Sequence, residues 1–332
     1  MVTPGSAEQA ATGSLVVLMP VFNDWESVAL LIPRLDATLR QCAPESRLVL
    51  VDDASTEPPP DRLTEGPLEN IRSIEIVRLA RNLGHQRAIA IGLVHVQQTI
   101  PCRAVVVMDA DGEDRPEDVL TLVKRMGQER DRQIVFGARA RRMESLTFRA
   151  FYHLYRALHR VLTGAPVRVG NFSVVPSSAL RRLMVVWELW NHYAAAVIHS
   201  GLAHSSVPLA RDRRLRSRSR MKFSGLVVHG WSALSVYGEV VSVRLLLAGL
   251  GLSGLAAVLM ATTLFLRLGT GLAVPGWALY ALASLLVLAV EGVLGAGVLG
   301  FVLIGGRSNT SFLPIRDAHY FIVETIRVFP NA

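Results

Sequence analysis

The sequence predicts an α/β domain, a parallel sheet covered by helices on both faces, followed by a C-terminal pair of membrane-spanning helices. Three observations carry this. Short runs rich in Val, Leu and Ile alternate with helical patterns from residue 15 to 137, and most of these runs end in a cluster of polar residues. Near the C-terminus the apolar residues then concentrate in two long stretches, 245–266 and 277–304. Buried strands separated by helices of about 12–15 residues are the pattern of a parallel sheet with both faces covered.

Taken in order, "LVVLM" is a strand and 25–41 a helix. "RLVLVDD" is the second strand, followed by the Pro-rich turn "EPPPD", the third strand "SIEIVRL" and a helix over 84–98. "AVVVMDAD" is the fourth strand, 116–129 a helix, and "QIVFGAR" the fifth strand. In such sheets ligands bind beyond the carboxyl ends of the strands. The clusters "PVFND", "DDAS", "RNLGHQ" and "DADGED" all fall at such ends, and so should face one crevice. The segments 145–162 and 222–241 mix aromatic, aliphatic and basic residues at helical spacing. They are expected to lie as amphipathic helices in the head-group region, the alternative being helices packed on the sheet. The expected division is a flexible N-terminus over 1–14, the α/β domain over 15–165, helices of the membrane interface over 166–243, the membrane helices over 244–305 and a tail over 306–332.

Of the 332 residues 51% are hydrophobic, high for a soluble chain. The stretch 245–266 carries no charge and 277–304 only Glu291, and each is long enough to cross a hydrocarbon core of about 30 Å. By default Glu291 faces the other helix, a partner subunit or a lipid head group, or marks a homo-oligomer contact. The N-terminus has neither the basic region nor the apolar run of a signal peptide, so residues 1–240 are expected in the cytosol. Much of the net charge of +8 sits in "RDRRLRSRSRMK" (211–222), before the first span. A basic run beside a membrane helix marks the cytosolic side and meets anionic head groups or phosphates, so no nucleic-acid partner is expected. Both termini are placed in the cytosol and the loop 267–276 outside, in an integral protein of the inner membrane. Cys42 and Cys102 have no metal-type spacing and are read as reduced core residues.

"VVVMDADGED" (105–114) carries the chemistry. Asp109 and Asp111 lie two apart, so in extended chain they point the same way, and Glu113 continues the alternation. Two carboxylates converging at a strand end repel unless a cation lies between them, and oxygen ligands suit Mg2+ or Mn2+. Such an ion keeps few protein carboxylates and takes substrate phosphates as further ligands, which points to a diphosphate-bearing substrate. The alternative, acids capping the helix after Pro116, suits Asp114. A glycoside-hydrolase pair is disfavoured by the membrane setting. No P-loop is present, and no G-x-G-x-x-G follows the first strand.

"VVLMPVFND", "LVLVDDAST", "RNLGHQRAIAIGL", "VVVMDADGEDRPEDV" and "GARARR" come in the order and spacing of the inverting family 2 glycosyltransferases of the Rossmann-like GT-A fold, which the chain therefore resembles. "GNFSVVP", the basic segment and the hairpin narrow the resemblance to polyprenyl-phosphate glycosyltransferases, the dolichyl-phosphate-mannose synthase type and its bacterial undecaprenyl-phosphate counterparts. The resemblance implies that Pro20, Phe22 and Asp24 border the nucleotide, that Asp52 or Asp53 contacts base or ribose, and that Asn82 closes the pocket. It further implies that Asp109 and Asp111 hold the metal, that Glu113 is a further ligand where Gln is usual, and that Arg139 faces the reacting phosphates. Arg149 would meet the acceptor phosphate, with Arg216, Ser219 and Arg220 of the basic segment beside it. Asn171 stands where Asp is common, Ser217 where Gly is and Arg220 where Lys is. His85 and Gln86 fit the bacterial branch.

The implied partners are a UDP- or GDP-linked sugar and a polyprenyl phosphate in the membrane. A phosphate monoester has a second pKa near 6 and is already largely a dianion in the cytosol, so the reaction needs no general base. Two alternatives stand beside this reading. A polysaccharide synthase lacks support, because Q-x-x-R-W is missing and only two spans are present. A non-catalytic membrane protein that kept the nucleotide-sugar-binding fold would not need the intact Asp109 and Asp111.

Overall fold

The computed structural model describes residues 14–60, 62–64, 66–139, 157–164, 169–210, 212, 214–215, 230–270, 276–308 and 312–330. The strands are β1 (Leu15–Val21), β2 (Ser46–Asp52), β3 (Ile71–Leu79), β4 (Ala104–Val107), β5 (Ile134–Arg139), β6 (Val169–Pro176), β7 (His204–Leu209) and β8 (Ile322–Phe329). They form one sheet in the order β7-β5-β6-β4-β1-β2-β3-β8. The helices are α1 (Trp25–Leu39), α2 (His85–Thr99), α3 (Asp118–Gln128), α4 (Ser177–Leu183), α5 (Tyr193–His199), α6 (Gly238–Gly269), α7 (Gly276–Ser308) and α8 (Pro314–Asp317).

The centre, β3-β2-β1-β4, is parallel as expected. Its flanks are not: β6 runs antiparallel to both β4 and β5, and β8 antiparallel to β3, so the sheet is mixed. The strand "VGNFSVVP" therefore separates β4 from β5, and a domain boundary at residue 165 would cut through the sheet. The residues after the hairpin also differ from the expected tail, because α8 and β8 are built from them.

Alternation along β1 sends Val16 and Leu18 to one face and Leu15, Val17 and Met19 to the other. On the first face α2 packs through Ala88, Ile89, Ile91 and Val96, beside α4 and α5. On the second lie Val28, Leu31, Ile32 and Leu35 of α1, with Val119, Leu122 and Met126 of α3. Each such large side chain contributes about 1.5–3 kcal/mol by leaving water. At Gly92 the helix α2 comes so near the sheet that an added Cβ would lie 2.5 Å from Leu18 Cδ1 and 2.6 Å from Val51 Cγ2.

The chain divides into two compact units, one of residues 1–144, 168–236 and 312–332, the other of 145–167 and 237–311. In the second unit Gly249 approaches Val293 and Gly300 approaches Ser242, which makes α6 and α7 an antiparallel hairpin. Both are long and apolar enough to cross a membrane, and their apolar windows are only 6% and 11% buried. Such uncovered apolar helices are not core helices of a soluble domain; lipid is the solvent that suits them, so the chain is read as a membrane protein. Glu291 lies on the exposed surface of α7 rather than covered by α6. Of the expected interface helices, 145–156 and 222–229 fall outside the described residues. Residues 157–163 are helical, with His159 and Thr163 buried and Leu158 and Val161 exposed.

Candidate active site

Register brings the functional strand ends together. Val21 pairs with Asp52, Leu18 pairs with Val107, and the N–H of Met108 donates to the Leu18 carbonyl. The loops that follow β1, β2 and β4 therefore leave the sheet side by side. After β1, Asn23 takes a positive φ of 57° and its Oδ1 accepts the N–H groups of Thr56 and Glu57 at 2.8 and 3.0 Å. The first loop is thereby tied to the second. Asn is among the few residues that tolerate this conformation, and sequence reading passed over it between Phe22 and Asp24.

Asp52 and Asp53 are both buried, and neither carboxylate is idle. Asp52 Oδ1 accepts the Ser55 N–H at 2.8 Å, with Arg78 Nε 3.5 Å from its other oxygen. Asp53 accepts the N–H of Leu83 at 2.7 Å and that of Gly84 at 2.8 Å, one on each oxygen. Asp53 thus fixes the turn "NLGH" that opens α2. Burial outweighs these bonds and the nearby charge of Asp52 adds to it, so the Asp53 carboxyl is pushed up to about 6. Pro20 is buried within β1, Phe22 is exposed at its end, and Asn82 is exposed in the turn that Asp53 holds.

The strand β4 stops at Val107, so Asp109 and Asp111 lie in a turn rather than on extended chain. Their proximity comes from that turn, which is closed by Asp114 Oδ2 accepting the Asp109 N–H at 3.2 Å and by Asp111 Oδ1 accepting the Glu113 N–H at 2.9 Å. Asp114 therefore folds this loop; α3 begins later, at Asp118. Burial first, and the charge of Asp109 second, push the Asp111 carboxyl up to about 6. Among the described residues no group of three His, Cys, Asp or Glu side chains converges as a metal cage. Two carboxylates, Asp109 and Asp111, thus share this turn, fewer than a full protein cage and the sort of donor set that suits an ion completed by water and phosphate.

Two further contacts were not legible beforehand. Arg214 sets its Nη2 2.8 Å from Asp111 Oδ2 and donates from Nε to Glu113 Oε1 at 2.9 Å. The second is a buried amide relay: Gln86 Nε2 donates to Asn171 Oδ1 at 3.0 Å, and Asn171 Nδ2 lies 3.5 Å from Asp109 Oδ1. Asn171, which stands where an acid is common, thus presents a donor to the acidic turn after β4. Arg139 ends β5, but its side chain lies outside the described part of the chain, as do Arg149, Arg216, Ser219 and Arg220 altogether.

The carboxylate pair lies beyond the carboxyl ends of the central strands, where open α/β sheets bind their ligands. The family model for glycosyl transferase family 2 matches residues 16–190. That is more than half of the chain, and the chain belongs to this family, as a glycosyltransferase of the GT-A fold. It is similar to YkcC of Bacillus subtilis, an uncharacterized glycosyltransferase, with 24% identity over 84% of this chain and 86% of that protein. An undecaprenyl-phosphate 4-deoxy-4-formamido-L-arabinose transferase of Pseudomonas fluorescens is 25% identical over 95% of this chain and 91% of its own. The transferase of the same name from Pectobacterium carotovorum is 36% identical, but over only 39% of this chain and 38% of its own. Among solved structures, glucosyl-3-phosphoglycerate synthase of Mycobacterium tuberculosis with Mn2+ and UDP-glucose matches at 18% identity and a TM-score of 0.46, covering 72% of this chain and 84% of that one.

Proposed function

We propose that the chain transfers a sugar from a nucleotide-diphosphate donor, UDP- or GDP-linked, to polyprenyl phosphate at the cytosolic face of the cell membrane, inverting the anomeric carbon. The observation that carries this is the carboxylate pair Asp109 and Asp111, at the strand-end crevice of a chain that also carries two uncovered apolar helices of membrane length. Relatives named undecaprenyl-phosphate transferases support the lipid phosphate as acceptor.

Mg2+ or Mn2+ fits the donor set: all-oxygen ligands, with the Asp111 carboxylate buried enough to call for a positive charge. When bound, such an ion takes up charge on the leaving diphosphate. The protein's part is positioning and electrostatics. Asp109 is held by its N–H bond to Asp114 and by the nearby Asn171 amide. Asp53 shapes the turn beside Asn82 through backbone bonds, so its part in donor binding is indirect. Arg139, Arg149, Arg216, Ser219 and Arg220 are assigned to the reacting and acceptor phosphates, where the forked guanidinium binds two oxygens at once. The acceptor phosphate is already a nucleophile at neutral pH and no residue has to take its proton.

Full-length protein in membranes, given radiolabelled UDP- and GDP-sugars with undecaprenyl phosphate, is expected to label the lipid fraction with at least one donor. Transfer should stop with excess EDTA and in Asp109→Ala and Asp111→Ala. A folded protein that labels no lipid with any donor of the panel would return the chain to a non-catalytic role.

A further inference from the structure

Arg214 occupies the oxygens that a divalent ion would need. Asp111 has Oδ1 taken by the Glu113 N–H and Oδ2 by Arg214 Nη2, while the same guanidinium holds Glu113 Oε1. The charge of Asp24 bears on Arg214 as well. The contact is built from the backbone up and is not a chance meeting of long side chains. The Asp212 N–H donates to the Glu113 carbonyl at 3.0 Å and the Leu215 N–H to the Asp111 carbonyl at 3.1 Å, so Asp212, Arg214 and Leu215 lie across the carboxylate turn as a clasp. Leu215 packs over Gly112, where an added Cβ would come within 2.5 Å of its Cγ. Arg214 lies between these two anchors and meets the acids there.

We propose that Arg214 is the resident counter-cation of this turn, which a divalent ion displaces from Asp111, leaving the guanidinium free beside the ion to take a phosphate oxygen of the donor. A guanidinium and a divalent ion cannot share one carboxylate pair at hydrogen-bond range without strong repulsion. A diphosphate removes the conflict, because it supplies anionic oxygens to both. Arg214 therefore opposes the ion when the ion comes alone and favours it when the ion comes with a nucleotide. The turn stays neutralised throughout, and loading becomes cooperative: ion and diphosphate each bind better in the other's presence.

This rests on the metal part of the proposed function, and the test separates the two. Mn2+ binding to the detergent-solubilised full chain is measured by electron paramagnetic resonance of free Mn2+, with and without UDP, together with the melting temperature in EDTA and in saturating Mn2+. Arg214→Gln should bind Mn2+ alone about tenfold or more tightly than the native chain, the scale on which one nearby charge alters proton binding to a carboxylate. UDP should then tighten Mn2+ less in the variant than in the native chain. In EDTA Arg214→Gln should melt below the native chain, and in saturating Mn2+ the gap should close. An ordinary ion pair would keep that gap. Arg214→Lys, which keeps the charge without the fork to both acids, should fall between the two. A native chain that binds no Mn2+ with or without UDP would sink the metal reading itself. Native binding with Arg214→Gln unchanged in affinity, or a melting gap that persists in Mn2+, would overturn the displacement alone.

Discussion

Gln86 and Asn171 are joined by a buried amide-to-amide hydrogen bond of 3.0 Å, and the carbonyl oxygen of the same Gln86 accepts the Tyr193 N–H at 2.7 Å. One side chain at the start of α2 thus connects β6, the first turn of α5 and, through Asn171, the acid Asp109. His85 adds a contact of 2.8 Å to the Gln86 nitrogen. Buried polar groups of this kind cost most when one partner is removed and the others are left unpaired.

Gln86→Leu is therefore expected to lower stability by on the order of 3 kcal/mol, since both the Tyr193 N–H and the Asn171 oxygen lose their partner. Transfer should fall about tenfold at saturating substrates as Asp109 loses a support, a change equivalent to about 1.4 kcal/mol in the barrier. Thermal melting and kcat measured on the same preparation check this. Native stability in the variant would show that the relay is solvated and carries little.

The second prediction concerns pH. A carboxyl whose folded pKa is raised holds its proton more tightly when folded. Its stabilising contribution is complete below the unfolded value, about 3.9, and is lost as pH rises through the folded value. For Asp53 that folded value is about 6, so the window runs from about pH 4 to 6. The loss is on the order of 3 kcal/mol at most. Asp111 adds a step of the same sign over the same window. In EDTA the melting temperature should thus fall between pH 4.5 and 6.5, and Asp53→Asn should flatten part of that slope while costing one of the two turn bonds. A melting temperature that rises through this interval would contradict the assignment.

The central part of the fold was legible because β1, β2 and β4 are buried on both faces and read as unbroken apolar runs. The flanks were not. β7 alternates exposed and half-buried positions, and β8 pairs with β3 across more than two hundred residues of chain. No local pattern announces that a strand following a membrane hairpin will return to a distant sheet edge. Ion pairs of Arg78 with Glu324 and of Arg327 with Glu75 hold it there. The acids of the turn after β4 stood out as charge after apolar residues. Arg214 did not, because in "RDRRLRSRSRMK" every arginine looks alike. The one that meets Asp111 is selected by the bonds of Asp212 and Leu215, which are properties of the folded backbone.

The third prediction follows from that returning strand. Residues before α6 and after α7 belong to the same compact unit, so the hairpin must bring the chain back to the side it left. The arginines before residue 245, against the single Arg267 at the far end, make the cytosol the expected side. A cysteine introduced at Thr270, at the end of α6, should react with an impermeant thiol reagent in intact cells. One at Lys124, exposed on α3, should react only after lysis. The opposite pattern would place the carboxylate site outside and remove the cytosolic donor.

The last prediction turns on Gly112. Its φ of +83° lies where a side chain is strained, and Leu215 already fills the space a Cβ would enter. Gly112→Ala therefore meets two costs together, about 1–2 kcal/mol for the backbone and a further penalty for moving Leu215. The turn has two ways to respond. It can shed the clasp, which breaks the bond from the Leu215 N–H to Asp111, or it can flip, which takes the Asp111 carboxylate away from Asp109. Both outcomes damage the site and spare the sheet, because the core clusters on either face gain nothing and lose nothing at residue 112. The variant is thus expected to melt within a few degrees of the native chain while Mn2+ binding in the presence of UDP weakens by about tenfold or more. Gly66, with open space around the position of an added Cβ, serves as the control: Gly66→Ala should leave both quantities unchanged. If Gly112→Ala keeps native Mn2+ affinity, the turn geometry does not set the ion site, and the carboxylate pair must be held by other means.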